Sequence, residues 1–273
     1  MSKQQAVLER PIRVIMFGGG PVLEPDVKRF LVRLEAHPEI DLLGAFCQSR
    51  GQAWSDVVGD LWRRRRLLAA PLLVIQAASA IRRTVSRSAQ EAVVNRQLAT
   101  IEDRLHFVPD IHDEVVLSKV RVLEPDLGLI YGSPILKSEL FEIPAFGTLG
   151  IHHGKVPQYR GKKTTFWAMY NGESQAGVTI QKVNAGLDTG QIVNSGSVPA
   201  TNRAYSTVWN ELVELGLDLY IRSILDVKAG AARLHPQLGP KGKLYRDPSF
   251  ADILRFWWRQ AKRRFNRSQV QHE

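Results

Sequence analysis

The run Pro11–Gly20, PIRVIMFGGG, constrains this chain more than any other short stretch. Ile12, Val14, Ile15, Met16 and Phe17 make it nearly continuously apolar. A strand with one wet face alternates apolar and polar residues. This one does not, so it reads as a parallel strand covered on both faces. Three glycines then let the chain turn tightly. Val27, Phe30, Leu31 and Leu34 recur at helical spacing within Asp26–Ala36, and Pro38 ends that helix. Ile40–Gln48 is a second strand. Such a β-α-β start predicts an α/β fold: an open, mostly parallel, Rossmann-like sheet flanked by helices. The G-x-G-x-x-G dinucleotide fingerprint is not matched, because Gly18-Gly19-Gly20 runs into Pro-Val-Leu, so a nicotinamide or flavin site is weakly supported.

The rhythm continues further along. His106–Ile111 is a strand or its approach, and Glu114–Leu123 is helical. Leu127–Gly132 and Gly147–Ile151 read as buried strands, with Ala176–Val183 and Gln191–Val198 closing the sheet. Ala204–Ala229 is a long helix, His235–Ser249 a Gly/Pro-rich loop, and Phe250–Phe265 a basic aromatic helix. The expected organisation is one α/β unit over 11–200 and a helical C-terminal extension over 201–273. Residues 54–100 interrupt the first as a basic and apolar helical insertion. Its uncharged run LLAAPLLVIQAASAI is shorter than the ~20 residues that span a bilayer and contains Pro71. It reads as a packed helix, or as one lying in a membrane surface with arginines at the headgroups.

Composition enters through charge and cysteine. The net charge of +10 is clustered in Arg63–Arg66, in Arg82, Arg83 and Arg87, and in the last helix. It favours anionic partners, such as a phosphorylated small molecule or an anionic membrane surface touched peripherally. Charge alone is not a nucleic-acid recognition motif, so no specific nucleic acid is expected. The single cysteine, Cys47, excludes an internal disulfide framework and reads as a buried inert thiol. The N-terminus lacks the pattern of a secretory signal, which points to the cytoplasm. A metal site is disfavoured, because adjacent histidines in a strand point to opposite faces.

The chemistry concentrates between Gly147 and Ile192. An apolar strand ends in His152 and His153. A Pro/Tyr/Arg/Gly turn and an aromatic helix follow, then GVTI, then the loop Gly186-Leu187-Asp188-Thr189-Gly190. This brings a base and a carboxylate to the ends of two neighbouring strands, a usual place for chemistry in an open α/β sheet. The pattern xIHxxxVPxYRG with GVTI and GLDTG resembles the core of the folate-dependent formyltransferases. That group includes methionyl-tRNA, glycinamide-ribonucleotide and amino-sugar formyltransferases.

The resemblance implies an N-formyltransferase that moves a formyl group from 10-formyltetrahydrofolate to an amine. His152 falls on the family histidine and Asp188 on the family aspartate. Gly150 stands where the family carries asparagine, and His153, backbone N–H groups or a water are the candidate replacements. The cofactor pocket is expected from Leu129, Tyr131, Gly132 and Ile135, together with Asn184, Gly186 and Leu187. The acceptor side is expected from Gly150, Tyr159, Arg160 and Trp167. The favoured acceptor is a small, anionic amine, such as an amino-sugar nucleotide or a related precursor; a homodimer is one assembly left open, and the sequence does not choose the oligomeric state. The last helices do not read as the β-barrel that methionyl-tRNA formyltransferases append. Two alternatives stand beside this reading. One is a hydrolase acting on the same cofactor. The other is a degenerate formyltransferase fold that binds rather than catalyses.

Overall fold

A computed structural model gives the fold of the chain and describes residues 7–49 and 92–270, with side chains as far as residue 261. The expected insertion over 54–100 lies outside the described residues as far as residue 91.

A seven-stranded sheet forms the centre. Its strands are β1 (Ile12–Gly19), β2 (Ile40–Gln48), β3 (Leu105–Val108), β4 (Leu127–Tyr131), β5 (Thr148–His152), β7 (Gln175–Lys182) and β8 (Ile192–Pro199), in the order β3-β2-β1-β4-β5-β7-β8. The pairs from β3 through to β5 are parallel. β7 and β8 add antiparallel. The doubly covered first strand is confirmed, since Ile12, Val14, Ile15, Met16 and Phe17 are all fully buried.

Two cores follow from the alternation of side chains along the strands. On one face, Leu129, Tyr131, Leu149, Val178 and Ile180 pack against α1 (Pro25–Glu35) and α5 (Tyr205–Lys228). On the other, Ile15, Phe17 and Phe46 meet α2 (Glu114–Leu123) and α3 (Ser138–Phe141), with Ile130 and Val183 at the edge. α2 is capped by Asp113, whose side chain accepts from the Val115 N–H. Cys47 is buried, and burial pushes its thiol up to about 11, which keeps it protonated and inert.

The strand order reverses between β1 and β4, where the crevice of an open α/β sheet forms. The two backbones come close there: a Cβ on Gly19 would sit 2.7 Å from the Gly132 carbonyl, so that position requires glycine.

Residues of the C-terminal part pack beside the central sheet and form a second, two-stranded sheet with the turn after β5. β6 (Tyr159–Gly161) pairs in parallel with β9 (Lys243–Tyr245), and α4 (Thr164–Asn171) packs beside them. Phe256 of α6 (Phe250–Val270) is buried against Phe166 at 4.8 Å between ring centroids. Among the described residues no helix is long and apolar enough to cross a membrane.

Candidate active site

His152 is the last residue of β5, on the same face as Gly150 two residues earlier. Its ring is buried, and both nitrogens face acceptors. Nε2 lies 2.8 Å from the Tyr159 carbonyl oxygen, which can only accept, so Nε2 carries the proton. Nδ1 lies 3.4 Å from Asp188 Oδ1. A Cβ on Gly154 would strike Nε2, so that glycine makes room for the ring.

Asp188 reaches this place by an unexpected route. β7 runs antiparallel to β5, so its C-terminal end lies beside the start of β5, where the Val183 N–H donates to the Thr148 carbonyl at 2.8 Å. The loop after β7 therefore folds back along the sheet to bring Asp188 up to His152, rather than placing it at a strand end.

The fold-back is held at several points. Arg160 donates from Nε and Nη2 to the Leu187 carbonyl at 3.1 and 2.6 Å. The Gly161 N–H donates to Asp188 Oδ2 at 2.7 Å. Gln237 Nε2 donates to the Asp188 and Gly190 carbonyls at 3.0 and 2.8 Å and to Gln181 Oε1 at 3.2 Å. Inside the loop, Asn184 Oδ1 accepts from the Gly186 N–H and from Thr189 Oγ1. These contacts hold Asp188 at φ +51°, in the left-handed region that aspartate tolerates better than most residues.

A third side chain joins the pair. Gln181 on β7 stands directly across from Gly150 on β5 and shares its face. It is buried, and its Nε2 lies 3.4 Å from the same Asp188 Oδ1 that faces His152. Gln237 fixes which way this amide points. The Gln237 nitrogen faces two carbonyls, so the Gln181 atom it also meets is the acceptor oxygen, and the Gln181 nitrogen is turned toward Asp188. Neither glutamine was singled out from the sequence. Gln181 has a signal there, a polar residue at an inward position of the strand GVTIQK; Gln237, in a Gly/Pro-rich loop, has none.

The other expected site residues divide. Gly132, at φ +65°, opens into free space, and Ile135 and Leu187 expose 71% and 41% of their surface on the loops after β4 and β7. Asn184 and Gly186 shape the second of these loops. Gly150 leaves room at the floor: a Cβ there would meet only Val183 Cγ2 at 3.5 Å and Ile130 Cβ at 3.7 Å.

Leu129 and Tyr131 do not bring their side chains here. Strand alternation turns both to the α1/α5 face, where Tyr131 packs on Phe30 at 5.6 Å. His153 is likewise turned away from His152. Its ring lies 4.8 Å from Trp209 and 6.1 Å from Tyr131, its Nε2 is sealed without a partner, and burial lowers its pKa to about 4. It cannot supply a donor beside Gly150. Tyr159 contributes its carbonyl, while its hydroxyl donates to Glu173 and its ring stacks on Tyr245. Trp167 donates its indole N–H to the Arg246 carbonyl within the same aromatic group, and Arg160 is committed to the loop.

The arrangement is a histidine–carboxylate pair at the C-terminal edge of a parallel strand, under a tied-down loop, in an open α/β sheet. Comparison with known proteins gives the family: the formyl transferase family matches residues 71–224, and the chain belongs to it. A methionyl-tRNA formyltransferase of Methylacidiphilum infernorum is 37% identical over 136 residues, which cover 48% of this chain and 42% of that protein. The chain spans between 39% and 49% of the length of such curated relatives. Among solved structures, HypX from Aquifex aeolicus in complex with tetrahydrofolic acid superposes with a TM-score of 0.54 at 14% identity, over 89% of this chain and 33% of that one. A Mycobacterium tuberculosis protein proposed to be a sugar N-formyltransferase superposes with a TM-score of 0.54 at 13% identity, over 90% and 85%.

Proposed function

We propose that this chain transfers a formyl group from 10-formyltetrahydrofolate to the amine of a small anionic acceptor, an amino-sugar nucleotide or a related precursor. The observation that carries the proposal is the His152–Asp188 pair. With Nε2 donating to Tyr159, a neutral His152 turns a lone pair toward Asp188 Oδ1, itself a lone-pair atom, across 3.4 Å. In that form the pair has room for one proton. It takes that proton from an attacking amine, holds it between Nδ1 and Oδ1, and returns it to the leaving nitrogen.

The residues around the pair fit a folate. Exposed Ile135 and Leu187 offer apolar contact on the two loops that rise from strands flanking Gly150, and the backbone at Gly132 is open. These residues, with the Asn184–Leu187 segment, would hold the donor, which supplies the formyl carbon when bound. Leu187 is anchored by Arg160 through its carbonyl, so the wall it forms is fixed before binding.

The small acceptor is supported by the way the C-terminal residues are used. Gln237, Tyr245 and Arg246 are built into the wall behind the site. The Tyr159–Tyr245–Trp167 stack ties these residues together, with Tyr159 buried and Trp167 and Tyr245 partly exposed.

The test is incubation of the protein with 10-formyltetrahydrofolate and a panel of amines, following tetrahydrofolate by absorbance and products by mass spectrometry. Release that depends on an amino-sugar nucleotide, and that falls about 100-fold or more in His152→Ala, is expected. Release without any amine would make the protein a hydrolase, and dependence on methionyl-tRNA would replace the small acceptor.

A further inference from the structure

We infer that the side-chain amide of Gln181 is the donor that stabilises the formyl oxygen, reaching across from β7 to the space that Gly150 leaves on β5. The inference rests on the formyl-transfer reading and deepens it.

Attack on a formyl carbon moves electrons onto its oxygen. The bond to the amine nitrogen forms, the bond to the donor nitrogen breaks, and the amine proton passes through the His152–Asp188 pair to the departing nitrogen. While this happens the oxygen needs hydrogen-bond donors already in position. The strand position two residues before His152 faces the right way, but glycine has no side chain. The nearest walls there are Val183 and Ile130, which are apolar.

Other donors nearby are committed. Thr179, opposite His152, gives its hydroxyl to the Gly154 carbonyl at 2.8 Å. Arg160 is anchored on the Leu187 carbonyl through Nε and one Nη2 N–H, and the Gln237 amide is shared among three oxygens. His153 lies on the opposite face.

Gln181 differs from all of these. It pairs directly with Gly150 across the strands and shares its face, and it leaves the space above the glycine open, since only Val183 and Ile130 come within 4 Å of a Cβ there. Its nitrogen is oriented by Gln237 and has two N–H groups. One addresses Asp188 Oδ1 at a long 3.4 Å. The second is left for a ligand. The amide is buried, so its dipole acts in a site with little competing water. It also touches the same carboxylate oxygen as His152, which places the oxygen donor and the proton acceptor within one hydrogen bond of each other.

The experiment uses Gln181→Met, which keeps length and removes the donor. Gln237 retains two carbonyl acceptors in this variant, so the loop stays tied. Two quantities are read. One is the ratio of the Kd values for tetrahydrofolate and 10-formyltetrahydrofolate, from calorimetry without any acceptor. The other is kcat with the amine found active. The variant should bind tetrahydrofolate as the wild type does, lose about fivefold in its preference for the formylated form, and lose about 100-fold in kcat. Gly150→Asn added to Gln181→Met should recover most of both losses, because residue 150 has room for a Cβ. An unchanged preference overturns the inference, whether kcat is normal or is reduced without recovery from residue 150. The latter result would mean that Gln181 only positions Asp188. A wild type that binds neither folate would instead remove the formyl-transfer reading, and this inference with it.

Discussion

Asp188 shows how much of the site depends on single residues. Its left-handed backbone costs energy that the contacts from Arg160, Gly161 and Gln237 must offset. Asn tolerates the same conformation and keeps an oxygen for the Gly161 N–H, but cannot take up a proton. Asp188→Asn should therefore leave the unfolding midpoint unchanged while kcat falls about 100-fold or more. Near-normal turnover, with an unchanged circular dichroism melt, would remove Asp188 from the proton path. Gly190 has a different role. A Cβ there would run into the Lys182 carbonyl, so Gly190→Ala should cost about 1–3 kcal/mol in urea unfolding and lower activity by shifting the loop. At this scale the sequence was legible where chemistry and geometry coincide: His152 and Asp188 do meet. It was not legible for Gln181, because identifying it needs the register that sets it opposite Gly150. The direction of His153 was legible, because strand alternation sets adjacent histidines on opposite faces, and that same alternation rules it out as the donor beside Gly150.

At the scale of elements, the central strands and the longer helices were readable because they carry sustained apolar signals, whereas the four-residue α3 was not. The β6–β9 pair was not, having three residues a side and Gly/Pro-rich surroundings, although it holds Arg160 and Gly161 against the Asp188 loop. α5 does more than cover a face. Tyr220 is fully buried, accepts from the Ile130 N–H at 2.9 Å and donates to the Leu149 carbonyl at 2.7 Å. It thus ties β4 to β5 next to Gly150. Tyr220→Phe keeps the ring stacked on Phe30 but leaves two backbone groups short of a partner, so a loss of about 1–3 kcal/mol is expected in urea unfolding. A loss below the error of the extrapolation would show that these strands hold their spacing without the hydroxyl.

The stability of the whole molecule should carry a pH signature from the histidine that the site does not use. His153 keeps partial exposure as a residue, yet its Nε2 is sealed between Trp209, Tyr131 and the Gly216 backbone. Burial is the main cause of its lowered pKa, with repulsion from His152 adding and Asp26 opposing. Above pH 6.5 the ring is neutral in both the folded and unfolded chains. Between 6.5 and about 4 the unfolded chain takes up a proton that the folded one refuses, so stability falls as pH falls across that window. The full fall is roughly 3 kcal/mol, large against the margin of a typical domain. His153→Phe should match or exceed the wild type at pH 7, because it removes a buried nitrogen without a partner. It should then lose less stability than the wild type on going to pH 4.5. Urea unfolding at pH 7, 5.5 and 4.5 measures the difference between the two proteins. Curves that stay parallel would mean that Nε2 reaches solvent or a proton partner in the folded chain. Divergence below pH 6.5 would locate the acid sensitivity on the α5 face, apart from the His152–Asp188 pair on the other side of the sheet.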